Sequence, residues 1–278
     1  MENVIISSDD FEEIKSRIIS DGSDKLHFIA DFDKTLTKAF VNGEHKTSIV
    51  NELFDVNSLD DDFESEMKRL YDEYHPIELD HTLDSNVRDA KMNEWWTSVF
   101  DLFKKEGINL SHLNNTIESG NIQLRDGVEY FLRFLRDRKV PLVIVSASGI
   151  GDLIPMYLES KGLLYDNITV VSNFFDWDSE GNMIKNRLPI IHSENKGEAG
   201  IENFPVYDVL LKRRNVILVG DSLGDVEMIG DFPYENIIRF CFLNEKVEER
   251  KDAYSERYDC VILNDGDFYF INDFLDSL

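Results

Sequence analysis

Cysteine, proline and positive charge are scarce in this 278-residue chain. Its two cysteines, Cys241 and Cys260, are too few for a disulfide framework and fit a reducing compartment. Lys and Arg number 29 against 55 Asp and Glu, a formal net charge of −26. Such an excess repels polyphosphate backbones and disfavours nucleic-acid and anionic-membrane partners. No apolar run approaches the roughly 18 residues that span a bilayer. The acid-rich N-terminus also lacks the apolar stretch of a signal peptide. A soluble, cytoplasmic protein is expected. The prolines are scattered, and no repeat, low-complexity tract or Gly/Ser-rich linker divides the chain. Hydrophobic residues at 42 % permit a packed core and exclude wholesale disorder.

Periodicity supplies the organisation. Leu26–Ala30, Val140–Val145, Val216–Val219 and Ile237–Phe240 are short continuous apolar runs, the pattern of strands buried on both faces. Ile168–Val171 and Val261–Leu263 are weaker candidates. Val128, Phe131, Leu132 and Leu135 share a helical face, and Leu153, Met156, Tyr157 and Leu158 open another helix that Gly162 can stop. Strands alternating with helices predict an α/β fold with a doubly wound, Rossmann-like parallel sheet. Residues 40–122 break the alternation. Phe63, Met67, Leu70, Tyr71 and Tyr74 form one helical stripe, and Met92, Trp95, Trp96, Val99 and Phe103 a second. Leu110, Leu113 and Ile117 hint at a third. The expectation is an α/β core from residues 1–39 and 123–278, with 40–122 as an all-helical cap inserted after the first strand.

Three strand ends carry polar groups suited to phosphate chemistry. Asp31-Phe32-Asp33-Lys34-Thr35 follows the first run, so two carboxylates at i and i+2 can reach one crevice, one to attack and one to move protons. Ser146-Ala147-Ser148-Gly149 follows the second and offers hydroxyls and backbone N–H groups to phosphate oxygens. Gly220-Asp221-Ser222-Leu223-Gly224-Asp225 follows the third, with carboxylates that suit a hard cation such as Mg²⁺. Lys196, between the second and third, can act as a point charge on phosphate. Asp176-Trp177-Asp178 faintly echoes a calcium loop, but Arg187 stands at the twelfth position, so it reads as a turn between two short strands. The six histidines lack zinc-site spacing.

The order strand–DxDxT, strand–Ser, Lys, strand–GDSxGD resembles the haloacid dehalogenase (HAD) superfamily of aspartate-nucleophile phosphatases. The stretches IELD, EWW, VVSNF and FLNEKVEER resemble, within it, the cytosolic pyrimidine 5′-nucleotidases of type III. That resemblance implies a Mg²⁺-dependent hydrolase of nucleoside 5′-monophosphates. By it, Asp31 is the nucleophile that forms an aspartyl-phosphate, and Asp33 is the general acid and then base. Mg²⁺ is held by the Asp31 carboxylate, the Asp33 main-chain carbonyl and Asp221, with Asp225 as ligand or support. Ser146 and Lys196 hold the phosphate, Ser148 being the alternative because this loop is one residue longer than usual. Thr35 orders the loop. Glu78 reads the base and Trp96 stacks on it. Tryptophan at that position accompanies 7-methylguanosine monophosphate specificity and tyrosine a pyrimidine preference, so both substrate classes stay open. Lys34 stands where the family commonly has an apolar residue. Transfer of the phosphoryl group to a nucleoside, and a catalytically silent nucleotide-binding relative, are the competing readings.

Overall fold

The computed structural model describes residues 3–80, 82–197 and 204–278. The chain opens with strand β1 (Val4–Ile6), helix α1 (Phe11–Asp21) and strand β2 (Leu26–Ala30), every residue of β2 being buried. After β2 come a hairpin of two-residue strands, β3 (Phe40–Val41) and β4 (Glu44–His45), and the helices α2 (Ile49–Asn57), α3 (Asp61–Glu78), α4 (Ser85–Glu106) and α5 (Leu110–Glu118). Then come α6 (Val128–Asp137), β5 (Leu142–Val145), α7 (Leu153–Ser160), β6 (Ile168–Val171), and the hairpin β7 (Phe175–Trp177) and β8 (Met183–Asn186). The chain closes with α8 (Tyr207–Leu210), β9 (Asn215–Gly220), β10 (Asn236–Leu243), α9 (Val247–Ser255), β11 (Cys260–Leu263) and α10 (Tyr269–Leu275).

Seven strands form one sheet in the order β1-β11-β10-β9-β2-β5-β6. All neighbours are parallel except β1, which runs antiparallel to β11. The expected first strand is therefore the second in the chain. The expected strand at Val140 begins at Leu142, and the one ending at Phe240 continues to Leu243. The segment 40–122 is helical from Ile49 onward but starts with the β3–β4 hairpin, too short to leave an apolar pattern.

From β2 the chain winds outward through β5 and β6, then returns to the other side of β2 and runs outward through β9, β10 and β11. The winding reverses between β2 and β9. Crevices at such reversals, beyond the carboxyl ends of the strands, are where open α/β sheets bind ligands. Asp31, Ser146 and Asp221 each follow one of the adjacent strands β2, β5 and β9, so the topology brings them together there.

Local physics explains the helices. The buried face of α6 is Val128, Phe131, Leu132 and Leu135, a helical spacing. Asp60 caps α3 by accepting from the N–H of Asp62 and Phe63, and Gly107 ends α4 in the left-handed region. Cys241 and Cys260 are buried free thiols in β10 and β11. Asp178 accepts from the N–H of Glu180 and Asn182, closing the β7–β8 turn.

Candidate active site

Asp31 continues β2, its N–H donating to the Val219 carbonyl at 3.0 Å. Its carboxylate is 4 % exposed and accepts from Lys196 Nζ at 2.7 Å. The same ammonium donates to Asp225 Oδ1 at 2.9 Å. The other oxygen of Asp225 accepts the N–H groups of Asp221 (3.0 Å) and Ser222 (2.9 Å). Asp225 thus shapes the loop that carries Asp221. It can come this close because position 220 has no side chain: a Cβ on Gly220 would sit 2.5 Å from the Asp225 Cβ. Tyr254 Oη donates to the Asp221 carbonyl at 3.2 Å, and Tyr258 Oη to the Ser222 carbonyl. Asp33 accepts the Ile49 N–H at 2.8 Å, which ties its carboxyl to the N-terminus of α2. Lys34 pairs with Asp221 Oδ2 at 3.2 Å, which brings a second cation to the site.

Burial pushes Asp31 up to about 7, with Lys196 opposing the shift and Asp225 and Asp221 adding to it. Burial, then the neighbouring Asp31, pushes Asp33 up to about 7. Burial also lifts Asp221 to about 6 against the pull of Lys34. Burial works against the charge on Asp225 too, but Lys196 and the two N–H donors hold it below the usual carboxylate range. Burial alone would lower the Lys196 ammonium; Asp225 and Asp31 overcome it and hold the pKa well above the ordinary value. Two lysines therefore do not satisfy the negative charge gathered here. Ligand oxygens of Asp31, Asp221 and Asp225 all lie within 4.8 Å of one another, an all-oxygen set that fits a hard divalent cation.

A cavity of about 390 Å³ opens beside these groups. Asp31, Asp33, Ser146, Ser148, Lys196 and Asp221 form its polar end, and Phe54, Tyr71, Trp95, Trp96 and Phe103 line its apolar part. Ser146 Oγ accepts the Ser148 N–H at 3.1 Å, whereas Ser148 Oγ is buried without a hydrogen-bond partner among the described residues. Trp96 lies against Trp95, ring centroids 6.2 Å apart and 24° between planes. Thr35 is fully buried and away from the lining.

Two expected site residues do not line the cavity: Asp225, which lies behind Lys196 and the Asp221 loop, and Glu78. The case of Glu78 is different. It ends α3, and its carboxylate accepts from Ser193 Oγ at 2.6 Å and meets His75 Nδ1 at 3.0 Å. Conversely, Trp95 lines the cavity beside Trp96. Tyr71 and Phe54 line it too. A helical stripe marks an apolar face; it does not say whether that face meets protein or a ligand.

The family model described as pyrimidine 5′-nucleotidase (UMPH-1) matches residues 34–278. The chain is 34 % identical to 7-methylguanosine phosphate-specific 5′-nucleotidase A of Xenopus laevis over 261 residues, covering 94 % of this chain and 90 % of the relative. Among solved structures it is similar to cytosolic 5′-nucleotidase IIIB bound to cytidine, at a TM-score of 0.89 and 27 % identity, covering 100 % of this chain and 94 % of the other. A HAD family hydrolase of Salmonella enterica superposes with a TM-score of 0.55 at 17 % identity, covering 90 % of this chain and 71 % of the other, a likeness of fold alone. The fold is that of the HAD hydrolases. No helix among the described residues is long and apolar enough to cross a membrane.

Proposed function

This chain belongs to the pyrimidine 5′-nucleotidase (UMPH-1) family, and on that premise we propose that it hydrolyses nucleoside 5′-monophosphates in two steps through Asp31. An Asp31 oxygen attacks phosphorus and the bond to the ribose 5′-oxygen breaks. Asp33, whose pKa burial raises to about 7, gives that oxygen its proton. The resulting Asp33 carboxylate then takes a proton from the water that attacks the aspartyl-phosphate, and phosphate leaves. Lys196 and Ser146 hold the phosphoryl oxygens throughout. Asp31, the Asp33 main-chain carbonyl and Asp221 would hold a divalent cation, which we assign as Mg²⁺, with Asp225 supporting them. Such a cation offsets charge on the phosphate and on the carboxylates.

The observation that supports this most is a single bridging contact: Lys196 Nζ lies 2.7 Å from Asp31 and 2.9 Å from Asp225 at the polar end of a cavity with aromatic walls. The cavity of about 390 Å³, polar by the aspartates and aromatic elsewhere, suits a nucleotide with its phosphate toward the aspartates and its base among the rings. Tryptophan is the strongest cation–π partner, and a 7-methylated guanine is cationic. We therefore name 7-methylguanosine monophosphate as a substrate beside CMP and UMP. For Glu78 to read the base, its carboxylate must move into the cavity, whose lining it does not join here. We take residues 40–122 as a cap over the site, and the cytosol as the setting.

Phosphate release from CMP, UMP, 7-methylguanosine monophosphate, AMP and GMP tests the proposal, with Mg²⁺, with EDTA, and on Asp31→Asn. Base-selective release lost in Asp31→Asn and in EDTA is expected. Full activity in either condition refutes the mechanism.

A further inference from the structure

Arg125 has no part in the chemistry above, yet it grips the loop that carries both catalytic aspartates. It is 2 % exposed and stands just before α6. Its guanidinium donates to the Thr35 carbonyl at 2.8 Å and to the Lys34 carbonyl. Its main-chain N–H donates to the Leu36 carbonyl at 2.9 Å. One residue thus holds three successive carbonyls, the first of them directly after Asp33. Asn244 adds a second donor to the Lys34 carbonyl, at 3.0 Å, and accepts from Arg125 at 2.7 Å.

The grip has a mechanical purpose. Lys34 sits at φ 57°, in the left-handed region. A side-chain-bearing residue there costs about 1 kcal/mol or more and persists only where its surroundings enforce it. This turn sends the chain back after Asp33, so that Asp31 and Asp33 face one cavity. The buried guanidinium is balanced by Asp265, whose Oδ1 lies 2.6 Å from it. The carboxylate of Asp265 also accepts the N–H groups of Ala39 (2.8 Å) and Phe40 (3.0 Å), where the chain enters the segment 40–122. Both ends of the turn are therefore fixed to one buried ion pair.

We infer that Arg125, locked by Asp265 and assisted by Asn244, is a positioning residue that sets Asp33 against Asp31 by holding the Lys34 turn. The inference rests on the nucleotidase mechanism proposed above. Ser146, Lys196 and the aromatic wall, which would hold phosphate and base, lie on other elements, so loosening the turn slows the chemistry more than it weakens substrate binding.

The test compares Arg125→Lys, Arg125→Gln and Asn244→Ala with the parent and with Asp31→Asn, measuring kcat, KM for CMP with Mg²⁺, and Tm. Lysine keeps the charge facing Asp265, but one ammonium cannot span the carbonyls. Arg125→Lys and Arg125→Gln are expected to lose about 100-fold in kcat, the scale of a misplacement of roughly 1 Å, with KM within about threefold of the parent. Asn244→Ala, which removes one donor, is expected to lose about tenfold in kcat with a parental Tm. A folded Arg125→Lys or an Asn244→Ala protein with parental kcat overturns the inference, as does a rise in KM at unchanged kcat. If the Arg125 variants do not fold, Asn244→Ala decides by the same criterion. An active Asp31→Asn protein would sink the mechanism and this inference together. An inactive Asp31→Asn beside a fully active Arg125→Lys would sink this inference alone.

Discussion

Trp96 presses directly on Gly149: a Cβ added to that glycine would lie 2.7 Å from the indole. The contact joins the proposed base-stacking ring to the loop that begins at Ser146. The indole cannot easily retreat, because Trp95 and Phe100 lie against it at centroid distances of 6.2 and 5.6 Å. Gly149→Ala should therefore tilt or displace Trp96, since an extra methyl group in a packed region forces such shifts at a cost of about 1–3 kcal/mol. The expected result is a rise of about tenfold in KM for nucleotides, with kcat close to the parent. An unchanged KM for both CMP and 7-methylguanosine monophosphate would show that the ring does not contribute to binding.

Lys196 is the cation shared by Asp31 and Asp225, and the three side chains are largely buried, with Lys196 14 % exposed. Removing one partner of a buried ion pair costs about 3–5 kcal/mol because the remaining charge is left uncompensated. Lys196→Met should accordingly melt well below the parent in EDTA. A divalent cation can oppose the same carboxylates, so Mg²⁺ should recover part of the lost Tm. Activity should stay down by about 100- to 1,000-fold, the scale of losing a preorganised charge contact to the reacting group. Thermal melts with EDTA and with Mg²⁺, beside phosphate release, check both statements. A Tm insensitive to Mg²⁺ would argue against a cation site at Asp31, Asp221 and Asp225.

Asp33 makes a pH-dependent contribution with a defined sign. Burial and Asp31 raise its pKa from 3.8 to about 7 in the fold. A carboxyl raised in this way favours the folded state while protonated. Its contribution is complete below the unfolded value and is lost as pH rises through about 7. Asp33→Asn keeps an oxygen for the Ile49 N–H and carries no charge. In EDTA the variant should therefore melt higher than the parent above about pH 7, by roughly 2–4 °C for each kcal/mol regained. The gap should close toward about pH 4. Melting curves across that range decide it; a parent that outlasts the variant at alkaline pH would contradict the burial argument. The same substitution removes the proton donor, so stability gained and activity lost should appear together.

The residues legible in the sequence share one property: their signal is local. Leu26–Ala30 reads as a strand because a parallel strand covered on both faces is apolar throughout, and Asp31 and Asp33 stand out by following it. β1 is missed because three residues on a sheet edge leave no periodic pattern. Asp265 is missed for another reason. Its meaning lies in Arg125, 140 positions away, and a charged pair closed inside the fold looks in sequence like two solvated surface residues. Tyr71 and Trp95 are legible as apolar and helical, but not as cavity wall, since periodicity gives a face and not what the face meets. Glu78 has its partner Ser193 at a separation of 115 residues, which no motif spacing discloses.

Trp96 also carries the choice between substrates. Tyrosine there would keep an aromatic face but offer a smaller and weaker one to a cationic base, because tryptophan is the best of the rings for a cation. Such contacts are worth about 0.5–1 kcal/mol when exposed and about 2 when desolvated. The Trp96 side chain packs among Trp95, Phe100 and Gly149, so the desolvated end of that range applies. Trp96→Tyr removes only part of that contact and should lower kcat/KM for 7-methylguanosine monophosphate relative to CMP by about 3- to 5-fold, the equivalent of roughly 0.6–1 kcal/mol. A neutral pyrimidine gains no comparable cation–π term, so turnover of CMP itself should change by less than about threefold. Competition between the two nucleotides in one reaction measures the ratio directly. If the ratio holds while both rates fall together, Trp96 stacks on either base without reading its charge, and selection between them must come from elsewhere in the cavity.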